Sequence, residues 1–256
     1  MLNLTDTHTH LHFGQFEKDL PAVLQRARDA GVNRILTLGT ELESSRKSLQ
    51  IAEENPSVYA AVGLHPTDIR QNPDRGSGQF AAMIKESEKV AAIGEIGLDL
   101  YWKEVPLQEQ LPVFKNMLEL AAELELPVVI HNREAQAEMQ QFFRENNIHR
   151  LHGVMHSFAG TPADVQFYLE KGLHISFTGV VTFKNFRQWD TVRQVPLERL
   201  LLETDSPFLT PEPYRGRGNE PSFVRFTAEK LAEFYEMDFA DLCRITSENA
   251  AALFAW

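Results

Sequence analysis

Short apolar runs alternate with longer amphipathic segments along almost the whole chain. The apolar runs lie at 2–7, 34–38, 58–64, 90–96, 127–130, 151–155, 173–177 and 200–204. Helix-like segments, with apolar residues at three- and four-residue spacing, lie at 16–30, 41–54, 107–125, 134–145, 162–171, 223–235 and 239–254. Strands that are apolar on both faces and alternate with helices are typical of a parallel sheet covered on both sides.

This alternation predicts an α/β fold, a closed (β/α)8 TIM barrel that spans residues 1–256 as a single domain. Such barrels commonly fill roughly 250 residues. The alternative is an open doubly wound sheet, which would usually carry a glycine-rich phosphate turn after its first strand. No such turn follows residue 7, and the barrel is favoured. A Pro-rich loop at 206–221 follows the last strand candidate, and two helices after it close and extend the barrel.

Composition excludes several classes of protein. Hydrophobic residues make up 43% of the chain, enough for a core and too many for a predominantly disordered protein. No apolar run approaches the ~18 residues of a membrane span, and the first residues lack the pattern of a signal peptide. Cys243 is the only cysteine, which excludes an intrachain disulfide and a cysteine-based zinc site. We therefore expect a cytoplasmic protein with no membrane partner.

The formal net charge is −11. This acidic balance argues against capture of nucleic acid by a broad basic surface, which relies on counterion release. It leaves room for a local site at which bound metal and a few arginines offset the negative field.

Ionisable residues gather where the strand candidates end. In a parallel barrel the carboxyl ends of all strands open onto one face, where active sites lie. Imidazole nitrogens and carboxylate oxygens suit a divalent metal, and an acidic side chain can bridge two ions. The spacing of two between His8 and His10 puts both rings on the same side of an extended chain. A polar loop would explain that pair alone, but not the set of His8, His10, His65, Glu95, His131, His156 and Asp205.

The remaining histidines are predicted to lie away from the metal. His149 falls in a helix–strand connection, while His152 and His174 fall at strand beginnings, on the opposite face of the barrel. Solvent exposure or core packing is expected for these three. His12 lies past the first strand and close to the mouth, where we expect it either to support a metal ligand or to lie in a loop.

Several neighbouring residues have two interpretations each. His65, in GLHP, could bind metal or substrate, and we favour substrate binding or support of a ligand. Glu203 is expected to be a buried hydrogen-bonding partner. Arg133 could clamp an anionic substrate or pair with a surface carboxylate. Arg215 and Arg217 follow the last strand, where barrels often bind phosphate, although an exposed loop is the alternative. Core packing is favoured over base stacking for four aromatic residues: Phe177, Phe183, Phe186 and Trp189.

The sequence closely resembles the TatD family of metal-dependent hydrolases, often described as TatD-type deoxyribonucleases. The matching segments run in the family's order and cover essentially the whole chain. They are DTHTHLH (6–12), GLHP (63–66), IGEIGLDLYW (93–102), HNREA (131–135), HSFAG (156–160), SFTGVVTFKN (176–185), LLLETDSPFLTP (200–211) and PYRGRGNEP (213–221). ETDSPFL and RGxxNEP together are highly specific.

The resemblance implies an amidohydrolase-like barrel with up to two divalent ions, Mg, Mn or Zn, at its mouth. The residues that match the family's ligands are His8 and His10 for the first ion, Glu95 as the bridging carboxylate, His131 and His156 for the second ion, and Asp205 as the final acidic ligand. Two positions depart from the family pattern: His12 stands where members often have Asp, and Ser157 where they often have Cys. Both departures bear on substrate preference rather than on metal binding.

The leading hypothesis is a two-metal hydrolase that cleaves phosphodiester bonds in DNA, as an exonuclease on single strands or ends. Glu95 and Asp205 would be catalytic, with Asp205 accepting a proton from the attacking water. The candidate substrate-binding residues are His65, Arg133, Arg215 and Arg217. The same site could instead hydrolyse another ester or amide, such as an aminoacyl-tRNA ester, or the protein could bind metal without catalysis. No obligate protein partner is evident.

Overall fold

The computed structural model describes residues 2–72 and 77–256. In this part of the chain, parallel strands form an 8-stranded sheet in the order β1-β2-β3-β4-β5-β6-β7-β8. The strands are β1 (Leu4–Thr9), β2 (Val32–Leu38), β3 (Val58–Val62), β4 (Val90–Asp99), β5 (Val128–Arg133), β6 (Gly153–Met155), β7 (His174–Phe177) and β8 (Leu200–Leu202). The strand order follows the chain order, as the predicted (β/α)8 barrel requires.

Helices alternate with the strands. They are α1 (Gly14–Glu17), α2 (Leu20–Asp29), α3 (Leu42–Glu54), α4 (Gly78–Glu86), α5 (Leu107–Glu123), α6 (Gln136–Glu145), α7 (Pro162–Glu170), α8 (Trp189–Arg193), α9 (Val224–Phe234) and α10 (Phe239–Phe254). Short 3-10 helices lie at Ile69–Gln71, Gly179–Thr182, Leu197–Arg199 and Pro221–Phe223. Across the described residues, every helix is too short or too polar to cross a membrane.

Local sequence explains where several helices begin. Before α3, the Glu41 carboxylate accepts a hydrogen bond from Ser44 N, and the Ser44 hydroxyl accepts one from Glu41 N. Thr161 and Asp164 form the same reciprocal capping box at the start of α7, where Pro162 occupies the first turn. These contacts satisfy backbone N–H groups that have no partner inside the helix.

The first and last strands meet and close the barrel. Thr9 forms an isolated parallel bridge with Ser206, just beyond β8. The fully buried Asp6 carboxylate accepts hydrogen bonds from Thr204 N at 2.9 Å and from the Thr204 hydroxyl at 2.6 Å. These contacts hold the ends of β1 and β8 side by side, so polar residues after both strands lie at the same end of the barrel.

Alternating residues of the strands face two different apolar clusters. One cluster packs the strands against the surrounding helices, and the other fills the interior of the barrel. The interior cluster includes Val129, Val154 and Leu201, and the last turns of α10 pack against it. Successive residues of a strand point to opposite faces, so residues two positions later point inward as well. Those residues are His131, His156 and Glu203.

Candidate metal centre

Four side-chain atoms converge at the carboxyl ends of β1, β4 and β8. His8 Nε2 lies 3.4 Å from Glu95 Oε2 and 3.6 Å from Asp205 Oδ1. His10 Nε2 lies 3.5 Å and 3.6 Å from the same two oxygens, and 3.2 Å from His8 Nε2. These four residues form what we call the first donor cluster.

The other oxygen of Glu95 faces a second set of imidazoles. Glu95 Oε1 lies 2.9 Å from His131 Nδ1 and 3.3 Å from His156 Nε2. We call Glu95, His131 and His156 the second donor cluster. His65 Nε2 lies at its edge, 3.6 Å from Glu95 Oε1. The Glu95 carboxylate, with only 4% of its side chain exposed, is therefore shared between the two clusters.

Three of the imidazoles are held by acceptors outside the clusters. The pairs are His10 Nδ1 with Leu38 O at 3.1 Å, His131 Nε2 with Asp99 Oδ2 at 2.9 Å, and His156 Nδ1 with Glu203 Oε1 at 2.9 Å. Because a carbonyl or carboxylate oxygen can only accept, the outer nitrogen of each ring carries the hydrogen. In the neutral ring the inner nitrogen then presents a lone pair towards the cluster, the state that a metal ligand needs.

His65 is arranged differently. Thr67 N donates to His65 Nδ1 at 3.2 Å, so Nδ1 is the acceptor and Nε2 carries the hydrogen of a neutral ring. Burial and the neighbouring His131 lower the pKa of His65 to about 3, which keeps the ring neutral at pH 7. His65 therefore points an N–H group at the second donor cluster. In this tautomer His65 is a hydrogen-bond donor, while the position of its Nε2 beside Glu95 and His131 also suits a metal ligand.

The carboxylates of the two clusters are ionised. Burial alone would raise the pKa of Glu95, but the surrounding imidazoles outweigh burial and hold it well below its usual range. Burial likewise opposes charge on Asp205, yet the hydrogen bond with His10 and the nearby imidazoles lower its pKa. Burial lowers the pKa of His156, but the carboxylates of Glu203 and Glu95 raise it to about 10. The site therefore has a strong preference for positive charge.

These residues fit a divalent cation. The donor atoms of His8, His10 and Glu95 lie within 4.8 Å of one another, and the same holds for two further groups: His8, His156 and Asp205, and His65, Glu95 and His131. The set combines neutral imidazole nitrogen with anionic oxygen, the donors that Zn²⁺ and related divalent ions accept. A cation would neutralise the buried carboxylates and accept the converging lone pairs.

The candidate arginines line the same end of the barrel. The Arg133 guanidinium lies 3.8 Å from the centre of the Tyr101 ring, and that of Arg215 lies 3.9 Å from the centre of the Phe183 ring. Arg217 is exposed in the loop after β8. Arg133 forms no ion pair with any residue that the structure describes, so it does not pair with a surface carboxylate as one interpretation expected. All three guanidinium groups can accept an anion.

The histidines that were predicted to lie outside the metal centre do lie outside the two donor clusters. His149 is exposed between α6 and β6, His152 Nε2 contacts Leu253 O at 2.9 Å, and His174 begins β7 at the amino-terminal end of the barrel. His12 lies in the loop after β1, with Nδ1 3.3 Å from the Ser48 hydroxyl. The four aromatic residues for which core packing was favoured lie in the core or pack against it: Phe177, Phe183, Phe186 and Trp189.

Glu203 and Asp99 complete the support of the second donor cluster. Glu203 is fully buried and accepts from His156 and from Ser157 N, which confirms its predicted role. Asp99 has no role in the sequence analysis above, yet its carboxylate holds His131. The spacing of four from Glu95 to Asp99 within one strand was the available signal, because residues at even spacing share a face. Between them, Gly97 has φ 145° and lies so close to the His131 carbonyl that a side chain would collide with it.

Comparison with known proteins extends over nearly the whole chain. The family model for TatD related DNase matches residues 5–255. An uncharacterized metal-dependent hydrolase of Bacillus subtilis (strain 168), YabD, is 41% identical over 255 residues, covering 98% of each chain. The uncharacterized metal-dependent hydrolase YcfH of Escherichia coli (strain K12) is 35% identical, covering 98% of this chain and 95% of its own. The crystal structure of YjjV, a TatD homolog from Escherichia coli K12, superposes with a TM-score of 0.92 at 30% identity, over 99% of this chain and 98% of that one.

Proposed function

Because the chain belongs to the TatD family of metal-dependent hydrolases, we propose that it is a divalent-metal-dependent deoxyribonuclease. It would cleave phosphodiester bonds in DNA, acting as an exonuclease on single strands or strand ends, in the cytoplasm. The choice of DNA is supported by the description of the matching family model as a DNase and by the unpaired arginines around the site.

The observation that carries the proposal is that the two carboxylate oxygens of Glu95 face different donor clusters. Its Oε2 lies with His8 and His10, and its Oε1 lies with His131 and His156. A carboxylate shared in this way suits two ions roughly 3.5–4 Å apart, the separation found in phosphatases and nucleases. One ion, Mg, Mn or Zn, would be held by each donor cluster. Bound there, the ions would activate water and offset charge on the phosphoryl oxygens.

The protein's own groups have separate tasks around the scissile bond. Asp205 is the most open member of the first donor cluster, with 14% of its side chain exposed against 4% for Glu95. Its ionised carboxylate would accept the proton that the attacking water loses. The N–H of His65 would donate to a phosphate oxygen beside the second donor cluster. Hydrogen bonds aimed at charge that develops in the transition state lower its free energy.

The arginines would position the strand. Arg133 ends β5, and Arg215 and Arg217 follow β8. None of the three has a carboxylate partner among the described residues, and although Arg215 donates to Thr210 O, each guanidinium has further N–H groups that can bind phosphate. Arg217→Ala should then raise KM more than it lowers kcat, since a group that only positions a phosphate contributes about equally to ground-state and transition-state binding.

The proposal is tested by presenting metal-loaded protein with end-labelled single-stranded DNA, hairpins, closed circular duplex, RNA and aminoacyl esters. We expect release of mononucleotides from single strands and ends. Asp205→Asn should remove this activity, while Asp29→Asn, the same change at an exposed position on α2, should leave it intact. Hydrolysis of aminoacyl esters without cleavage of any phosphodiester would overturn the proposal. Metal binding without any hydrolysis would also overturn it.

A further inference from the structure

Large hydrophobic side chains are exposed at one end of the barrel. Within residues 2–72 and 77–256, the large hydrophobic side chains that are at least 36% exposed are all aromatic: Phe13 (36%), Tyr101 (44%), Trp102 (50%) and Phe208 (49%). Each lies in a loop that follows the carboxyl end of a strand, after β1, β4 or β8. We call these four residues the aromatic rim. Single exposed hydrophobic residues are common, but exposed apolar side chains gathered at one end of a protein mark a surface that binds a ligand or partner.

Two members of the aromatic rim adjoin the first donor cluster. The rings of Phe13 and Phe208 meet edge to face, with centroids 5.6 Å apart. His10 lies beside both, with its ring centroid 5.7 Å from that of Phe13 and 6.2 Å from that of Phe208. A flat group that stacks on these rings would therefore lie beside His10, which is a member of the first donor cluster.

The other two members adjoin the second donor cluster. Trp102 N donates to Asp99 Oδ1 at 2.9 Å, and Asp99 Oδ2 is the acceptor that holds His131. The Tyr101 and Trp102 rings stand at 89° with centroids 5.0 Å apart. The Arg133 guanidinium covers the Tyr101 ring and lies 6.0 Å from the centre of the Trp102 ring. The Arg133 guanidinium and the exposed Trp102 indole therefore lie side by side next to the second donor cluster.

We propose that the aromatic rim stacks against unpaired nucleobases on the two sides of the scissile phosphodiester. Phe13 and Phe208 would contact a base on one side, and on the other side a base would stack on Trp102, with Tyr101, one face of which is covered by Arg133, at its edge. The inference rests on the proposed deoxyribonuclease function and adds the source of its selectivity. Bases in a duplex have their faces covered by neighbouring pairs, so only a single strand or a frayed end can use these rings.

The net charge of the protein favours contacts that do not depend on charge. At a net charge of −11, the protein repels a polyanion at long range. Stacking between a base and an aromatic ring needs no net charge and tolerates every base, since each has a π face. A protein partner is a poorer occupant, because a surface that covered all four rings would also cover the donor clusters between them.

The test compares two oligonucleotides of equal length and phosphate number, one with natural bases and one with abasic tetrahydrofuran residues throughout. Equilibrium binding to metal-stripped protein is measured by fluorescence anisotropy, and hydrolysis is then measured with Mn²⁺-loaded protein. Wild-type protein should bind the base-bearing strand about 10-fold more tightly per stacked base. Trp102→Ala and Phe208→Ala should each lower that ratio about 10-fold, and Trp102→Phe should retain much of it.

Trp256→Ala is the matched control, because Trp256 packs on Tyr59 at the opposite end of the barrel. Its binding ratio should equal that of the wild type, with circular dichroism confirming that every variant is folded. Equal binding of the two strands by the wild type, with hydrolysis of both, would overturn the role of the aromatic rim and leave the proposed function standing. Selective binding without hydrolysis of either strand would support the aromatic rim and overturn the proposed function.

Discussion

Glu95 is the residue on which both proposed ions depend, because its two oxygens face different imidazoles. Glu95→Ala should therefore remove metal from both clusters, whereas His8→Ala should weaken mainly the first. Loss of an outer-shell partner alone typically costs 10–100-fold in affinity or activity, so the activity of Glu95→Ala should fall by at least ~100-fold. Elemental analysis of the purified variants measures the metal directly. Wild-type metal and activity in a folded Glu95→Ala protein would contradict the shared site.

Asp99 should control the second ion through His131. In Asp99→Asn the amide has one accepting oxygen in place of two, so it cannot accept from both His131 Nε2 and Trp102 N, and His131 loses the negative charge that raises its basicity. We expect activity to fall by about 10–100-fold, with metal lost mainly from the second donor cluster. Metal titration followed by calorimetry would resolve the two sites. Asp29→Asn serves again as the exposed control, and a similar loss there would show that the effect is not specific to Asp99.

At the residue scale, the sequence analysis located the donors better than their supports. The histidines and carboxylates were recognisable because His, Glu and Asp are unusual at the ends of apolar strands. Asp99 was missed because β4 continues to Asp99, whereas the apolar run ends at residue 96. Hydropathy cannot show that a strand continues once its residues become polar. The exposure of Tyr101 and Trp102 was equally hidden, since an aromatic residue in a loop can pack inward or face solvent.

At the scale of elements, the alternation of strands and helices was predictable, but several bounds were not. The first run was expected at 2–7, whereas β1 is Leu4–Thr9 and carries His8 within it. His131 likewise lies inside β5 rather than after it, and β4 extends past the predicted end at 96 to Asp99. The physical reason is that backbone hydrogen bonds between neighbouring strands continue past the apolar interior. At the carboxyl-terminal end of the strands, the inward positions are occupied by the side chains of the donor clusters instead of aliphatic side chains.

Strand direction can be tested through His174, which begins β7 at the end away from the metal centre. His174→Gln should leave kcat and KM unchanged in steady-state assays, because no described group of the donor clusters contacts it. A loss of about 100-fold in a folded protein, the size expected for a group that supports a metal ligand, would contradict this placement.

The same variant should alter the acid stability of the barrel. Burial and the nearby Arg199 lower the pKa of His174 from 6.5 to about 4. The unfolded chain therefore takes up the proton first, so the folded state is destabilised as the pH falls from 6.5 towards 4. This group alone should lower the free energy of unfolding by about 3 kcal/mol at pH 4. Urea titrations from pH 7 to pH 4 should show a shallower pH dependence for His174→Gln than for the wild type.

At the scale of the whole molecule, the net charge would limit how the proposed DNA substrate is held. With Arg133, Arg215 and Arg217 as the phosphate contacts, the plot of log K against log salt concentration should have a slope no steeper than about −2 for single strands. Arg217→Ala should make that slope shallower by roughly one unit or less. Binding measured between low and physiological salt tests this. A steep slope, with rapid internal cutting of closed circular duplex, would indicate an extended basic track that the described residues do not form.

The closure of the barrel by β1 and β8 also has a consequence for biosynthesis. Asp6 and Thr204, which join these strands, lie 198 residues apart in the chain. At ribosomal rates of about 5–20 residues per second, they emerge on the order of 10–40 s apart. His8 and His10 are made early, but Asp205 must be translated before the first donor cluster can assemble. Under the proposed function, an unfinished chain lacks the complete first donor cluster, so hydrolytic activity would arise only after the last strand and Asp205 have been made.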